Sequence, residues 1–224
     1  MVTEILEEGG IALSDCDALA FGAGPGSFTG LRVACSVAQG LGFGADLPVI
    51  GIGGLVAMAE QLRQCRPGDF ADGTTVLSAL DARMGEIYWS LLEWRGSEWV
   101  ELRAPGLDFP RDLDTRLAES SAHSRETGQA GETTSHYGCG NAFQVYGADL
   151  SPHAACVGDV EVPDAEWIAR LAARRIECEG QGAFGFRSSH PADTAAPLYV
   201  RERIALTSDE RGRGERLSQQ AYSS

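Results

Sequence analysis

The sequence predicts an α/β fold in two units, and three stretches carry that reading. Ala18-Leu19-Ala20-Phe21, the glycine-rich run from Gly22 to Gly26 and a nearly uncharged segment ending at Phe43 read as strand, tight turn and helix. Val49-Ile50-Gly51-Ile52, a Gly53-Gly54 turn and an apolar segment from Leu55 to Arg63 repeat that order. Thr75–Leu80, an acidic turn over Asp81–Gly85 and the alternating run Glu86–Trp94 read as a hairpin that opens the second unit. Strand alternating with helix is the signature of this class.

The first corner is the most informative stretch: Gly24-Pro25-Gly26-Ser27-Phe28-Thr29-Gly30-Leu31-Arg32. Glycines supply the positive φ angles and close backbone approach that a strand-to-helix corner needs. Ser27 is placed as an N-cap, its hydroxyl taking up an unpaired N–H of the helix. A phosphate loop of the G-x-x-x-x-G-K-[ST] type is not met, because no Lys follows. The dinucleotide fingerprint G-x-G-x-x-G is nearly met from Gly24, but Thr29 stands in the last glycine position. A helix N-terminus attracts anions in general. Gly24, Gly26 and Ser27 are therefore candidate anion or nucleotide contacts, beside the plain reading of a structural turn.

The helix from Ser27 to Phe43 is apolar or small nearly all round. At 100° per residue, Leu31, Ala34, Cys35, Ala38, Leu41 and Gly42 share one face. Thr29, Gly30, Val33, Ser36, Val37 and Gly40 fall roughly opposite, and only Arg32 and Gln39 form a polar stripe. Such a helix must be covered on two sides. One cover is its own sheet. The other is either more of the same domain or a partner subunit. On the partner reading the interface residues are Phe28, Leu31, Ala34, Cys35, Ala38 and Leu41.

Cys65 to Thr74 is a loop and a domain boundary, which divides the chain into 1–72, 73–206 and a polar tail over 207–224. In the second unit Trp99–Leu102 reads as a third strand and Asp112–Ser120 as a short helix. Ser121–Ser135 reads as a flexible insertion. Tyr137-Gly138-Cys139-Gly140-Asn141-Ala142 is a second strand-and-glycine corner. Pro163 starts a helix to Cys178, with Asp164 and Glu166 at its positive end. Asp81 and Arg83 at the hairpin turn are either a catalytic pair or a structural ion pair across the turn.

Composition narrows the function. The six Cys show no C-x-x-C spacing, and the four His show no H-E-x-x-H, so no metal site is expected. No segment approaches the ~18 apolar residues of a membrane span, and a cytoplasmic location is expected. Acidic residues outnumber basic ones by 32 to 18, a net charge of −14. Affinity for nucleic acid rests on Lys and Arg neutralising phosphates, so unaided nucleic-acid binding is disfavoured.

Three blocks resemble the TsaB family, whose members serve the synthesis of threonylcarbamoyladenosine on tRNA: Gly22 to Glu60, Ala79 to Trp89, and Pro197-Leu198-Tyr199-Val200-Arg201. The resemblance implies an actin/Hsp70-like (ASKHA) two-domain α/β fold with mixed sheets. It implies no catalysis of its own. A TsaD-type transferase subunit would be its partner, carrying the metal and moving the threonylcarbamoyl group. A TsaE-type ATPase would join through the complex, a homodimer is the other pairing, and tRNA would be met only indirectly. The chain would need no cofactor of its own, with a nucleotide shared at the partner interface left open. The family opens with strands and the first half of a helix that precede anything resembling Met1–Leu6, so the first domain is expected to be truncated at its N-terminus. A chain without those strands would be marginal by itself, and with them Val2, Ile5 and Leu6 would rest on the helix that begins at Ser27. The alternative function is a peptidase-like hydrolase, with Ser27 or Ser36 needing a base, or a kinase-like nucleotide-binding module.

The charge balance generates a first test. The isolated protein is expected to bind tRNA with a dissociation constant weaker than about 1 µM at physiological salt in a filter assay. Tighter binding would reveal a basic surface that the net charge conceals.

Overall fold

The glycine corner organises the first unit. In the computed structural model, which describes residues 2–118, 136–179 and 190–200, strand β1 (Leu19–Gly24) turns through Pro25 and Gly26 into helix α2 (Phe28–Ala45). The Gly24–Pro25 peptide is cis. Ser27 caps α2 through its side chain, which accepts the Gly30 N–H. Asp46 ends the helix in the left-handed region at φ 54°. The chain returns as β2 (Val49–Gly53), parallel to β1 with Leu19 opposite Val49. It continues into α3 (Gly54–Cys65). Helix α1 (Val2–Gly9) precedes this unit and buries no residue; Val2 and Ile5 are exposed.

Side chains alternate across the β1–β2 sheet, as the pleat demands. Phe21, Ala23 and Val49 meet Cys35 and Ala38 of α2 on one face. Ile50 and Ile52 meet Ala57 of α3 and Ile168 and Ala172 of α4 (Ala165–Glu179) on the other. Although α4 follows the second-unit strands in sequence, it packs on this first sheet.

The second unit is a mixed five-stranded sheet in the order β5-β4-β3-β6-β7. Strands β3 (Thr75–Arg83), β4 (Glu86–Arg95) and β5 (Glu98–Asp108) are antiparallel neighbours. Strands β6 (Tyr137–Cys139) and β7 (Cys156–Val157) extend the sheet in parallel from β3. The hairpin expected from sequence is present, with its loop at Met84 and Gly85, both at positive φ. Strand β5 is longer than expected. It continues through Pro105, which an edge strand tolerates because one side needs no donor. The expected short helix appears as a turn at Pro110–Asp112 followed by helical residues 113–118. The expected insertion at 121–135 and the tail at 207–224 lie outside the described residues.

Helix α3 is the spine between the two sheets. Its Leu55, Met58, Ala59 and Leu62 pack on Val76, Leu80, Tyr88 and Leu92 of β3 and β4. The opposite face of that sheet, Leu77, Ala79, Ile87 and Trp89, is covered by Leu113, Phe143 and Leu150.

One charged group is buried at this junction. Glu60 of α3 is 2% exposed. Its carboxylate accepts from Arg63 through two bonds of 2.9 and 2.8 Å, from Gln64 at 2.9 Å, from the Trp99 indole at 2.9 Å and from Arg174 at 3.3 Å. The Arg63 and Arg174 guanidinium groups lie over the Trp94 ring at 4.1 and 5.5 Å. Helices α3 and α4 and strands β4 and β5 therefore converge on one carboxylate. Burial raises the Glu60 carboxyl, but the hydrogen bonds from Arg63, Gln64 and Trp99 and the Arg63 charge outweigh burial and hold it below the ordinary glutamate value.

Removing one partner of a buried, hydrogen-bonded ion cluster leaves the rest uncompensated, at a cost on the order of 3 kcal/mol. Glu60→Ala is expected to lose about that much stability in a denaturant titration. A carboxyl lowered by folding stabilises fully above its unfolded pKa and loses that contribution as pH falls through the folded value. In thermal melts from about pH 7 down to about pH 3, the native chain should therefore lose more than Glu60→Gln does; parallel curves would show that Glu60 carries no such linkage.

Candidate functional site

The two units meet in a cleft of about 570 Å³. Five elements build it: the corner from Gly24 to Leu31, the hairpin residues Leu80 to Arg83, the second corner at Asn141, the Pro163 approach to α4, and the segment Leu198–Val200. Gly24, Gly26, Ser27, Asp81 and Arg83, singled out from separate stretches of sequence, all line it. Gly24 sits at φ 115°, and a Cβ there would come 3.0 Å from the Leu198 carbonyl oxygen. The corner needs glycine both for its angle and for that approach.

The polar groups on the hairpin side are tied to one another. Tyr146 donates its hydroxyl to Asp81 Oδ1 at 3.0 Å, and the Arg83 backbone N–H donates to the same oxygen at 2.9 Å. Arg83 Nη1 lies 3.2 Å from Asp81 Oδ2, which is the ion pair across the turn expected from sequence. The Arg83 side chain is otherwise exposed at the cleft mouth. Asn141 Oδ1 accepts the Asp81 N–H at 2.9 Å, joining hairpin to second corner. Burial raises the Tyr146 hydroxyl pKa, and the hydrogen bond to Asp81 and its charge raise it further. At the second corner Gly140 has φ 111°, and a Cβ there would come 1.8 Å from the Ala79 carbonyl oxygen. No other residue permits that contact.

The second surface feature is helix α2. Of the residues expected at an interface, Cys35 and Ala38 are buried under the chain's own sheet, and Leu31, Ala34 and Leu41 are half-buried beside them. Phe28 lies exposed at the start of the helix, with the Arg32 guanidinium 3.8 Å above its ring and Tyr199 beside it at 5.6 Å. The face that α2 offers outward is the opposite one. Val33 is 58% exposed, Val37 50% and Phe43 86%. A Cβ at Gly40 or Gly44 would meet nothing within 4 Å. Sequence reasoning found both faces but not which lies inside. The clue was side-chain size: Ala and Cys suit close approach to a sheet, whereas two valines spaced four apart make a broader outer stripe.

The six cysteines are unpaired thiols. Burial pushes Cys139 up to about 12, which makes it an inert core residue beside Ser78. Burial likewise raises Cys35. His136 Nδ1 lies 2.6 Å from the Thr75 hydroxyl, and burial together with nearby His153 lowers its pKa. Among the described residues no group of three or more His, Cys, Asp or Glu is placed to hold a metal ion. No described helix is long and apolar enough to cross a membrane.

Comparison with known proteins agrees with this architecture. The family model described as TsaD, tRNA N6-adenosine threonylcarbamoyltransferase, matches residues 1–155. The tRNA threonylcarbamoyladenosine biosynthesis protein TsaB of Escherichia coli K12 is 34% identical over 92% of this chain and 79% of its own length. Its namesake in Haemophilus influenzae is 52% identical over 80% of this chain and 75% of its own. A crystal structure from Pseudomonas aeruginosa, described as an uncharacterized protein with similarity to peptidase YEAZ, superposes with a TM-score of 0.68 at 26% identity, covering 90% of this chain and 81% of that one. YeaZ from the same organism superposes at 0.66 and 27% identity, over 89% and 81% of the two chains. The mixed α/β architecture is thus the actin/Hsp70-like one that the sequence blocks implied. Because two relatives that share one name match it at 34% and 52% identity over most of both chains, the chain belongs to the TsaB family.

Proposed function

We propose that this chain is a non-catalytic subunit of the machinery that places a threonylcarbamoyl group on tRNA adenosine, and that it works by docking on a TsaD-type transferase. The observation that carries the proposal is the outward face of α2. Val33, Val37 and Phe43 are exposed on an 18-residue helix whose inner face is fixed on a sheet. An apolar helix face of this kind is a contact surface. The transferase family model itself matches residues 1–155, so chain and transferase share a fold and a like-with-like helix contact is geometrically natural. A second copy of this chain would use the same face in a homodimer. Asp81, Tyr146 and Arg83 are engaged with one another, which suits a structural rather than a chemical role. The net charge of −14 supports leaving tRNA to the partner; a TsaE-type ATPase joining through the complex is what the resemblance implies.

A second reading concerns the cleft. The convergence of Gly24, Gly26, Ser27 and Arg83 on one cavity favours a nucleotide phosphate there, shared with the partner interface. Calorimetric titration with ADP, with and without the transferase, tests it; heat that is unchanged by Arg83→Ala would remove Arg83 from that site.

The docking surface has a direct test in two adjacent residues. Val37→Glu puts a charge on the outer face, and Ala38→Glu puts one in the chain's own core. Val37→Glu is expected to weaken transferase binding by on the order of 100-fold while the thermal midpoint changes little. Ala38→Glu is expected to unfold the first unit. Co-purification of the transferase with Val37→Glu at native yield would show that this face is not the dock.

A further inference from the structure

Helix α2 is poorly built to hold its own shape. Gly40, Gly42 and Gly44 weaken its second half, each by about 1 kcal/mol relative to Ala, and among the described residues its outer side is open at Val33, Val37, Gly40 and Gly44. Among the described residues, a distant segment holds it besides the sheet. Residues 190–200 run along α2 from its C-terminal end to its first turn. The Ala192 methyl would lie 3.1 Å from a Cβ at Gly42. The Ala195 carbonyl accepts from Gln39 Nε2 at 2.9 Å and from the Cys35 thiol at 3.4 Å. The Tyr199 hydroxyl accepts from Arg32 Nε at 3.0 Å. Positions 32, 35, 39 and 42 form one stripe of a helix. The same segment is anchored at both ends: Val49 donates its N–H to the His190 carbonyl, and Leu198 donates to the Ala23 carbonyl at 2.7 Å. Val200 then packs on the core of the second unit.

We propose that residues 190–200 are a brace that holds α2 in the geometry its partner requires, with Gln39, Arg32 and Tyr199 as positioning residues. This rests on the docking role of α2. The brace runs along the Arg32–Gln39 stripe and the adjoining edge of the inner face at Cys35 and Gly42, so it orders the helix without covering Val33 and Val37. It also explains why Gln39 and Arg32 interrupt an otherwise apolar helix: each supplies the side-chain donor that a passing backbone carbonyl or a tyrosine hydroxyl accepts.

The experiment follows hydrogen exchange by mass spectrometry across Phe28–Ala45 in the full chain, alongside affinity for the transferase. Gln39→Ala combined with Tyr199→Ala is expected to speed exchange in α2 about tenfold, to leave the β3–β4 hairpin unchanged, and to weaken transferase binding about tenfold. Tyr199→Phe keeps the ring against Phe28 and should give a smaller effect on both. Unchanged exchange in α2 would overturn the brace. Faster exchange with native affinity would overturn its positioning role. Val37→Glu separates the two ideas: native affinity in that variant would refute the docking face, while faster exchange in the double variant would still stand for the brace.

Discussion

A buried carboxylate has to be answered by donors, and at Glu60 that requirement joins the molecule. Desolvating a charge is costly unless hydrogen bonds and opposite charge replace the water. Here the replacements come from α3 itself, from β5 39 residues away and from α4 114 residues away. No one of these elements can leave without stranding the carboxylate. Trp94 lies beneath both guanidinium groups, which confines them where the carboxylate needs them. The ionic cluster and the apolar spine of α3 thus act at the same place. Leu55, Met58 and Leu62 supply non-directional attraction between the sheets, and Glu60 supplies direction.

With the two units held at that junction, the cleft is bounded by parts that have separate local reasons to be where they are. Gly24 and Gly140 let backbone approach backbone at two corners. Asp81 joins the hairpin to the second corner through Tyr146 and Asn141. The outward face of α2 is what remains of the first unit once the sheet has claimed Cys35 and Ala38.

The sequence was most legible where structure is local. The corner at Gly22–Gly30, the Ser27 cap, the hairpin from Thr75 to Trp94 and the Gly138–Gly140 turn depend on residues a few positions apart, so composition and spacing reveal them. The Asp81–Arg83 pair was legible for the same reason. What could not be read was long-range. A helix that is apolar all round has no preferred inner face until its sheet is placed, so the sequence reading set Cys35 and Ala38 at an interface, where the structure puts them against the chain's own sheet and leaves Val33 and Val37 outside. Glu60 is one acidic residue in an ordinary helix, and nothing near it in sequence announces Trp99 or Arg174. Strand β5 hid its length because Pro105 argues against a strand unless the strand is known to be an edge. The packing of α4 on the first sheet was likewise invisible, since it follows strands of the second.

The span of the brace carries a consequence for how the protein is made. Gln39 and the Ala195 carbonyl that it holds are 156 residues apart. A ribosome adding roughly 5–20 residues per second needs roughly 8–30 s to cover that distance. During that interval α2 and its sheet have emerged, but the brace that steadies it does not yet exist. Its glycines and its outer face are then presented on a nascent chain without the brace, with only the β1–β2 sheet beneath it. If residues 190–200 are the brace proposed above, the outer half of the helix gains its last support late in synthesis, from a segment near the other end of the described chain.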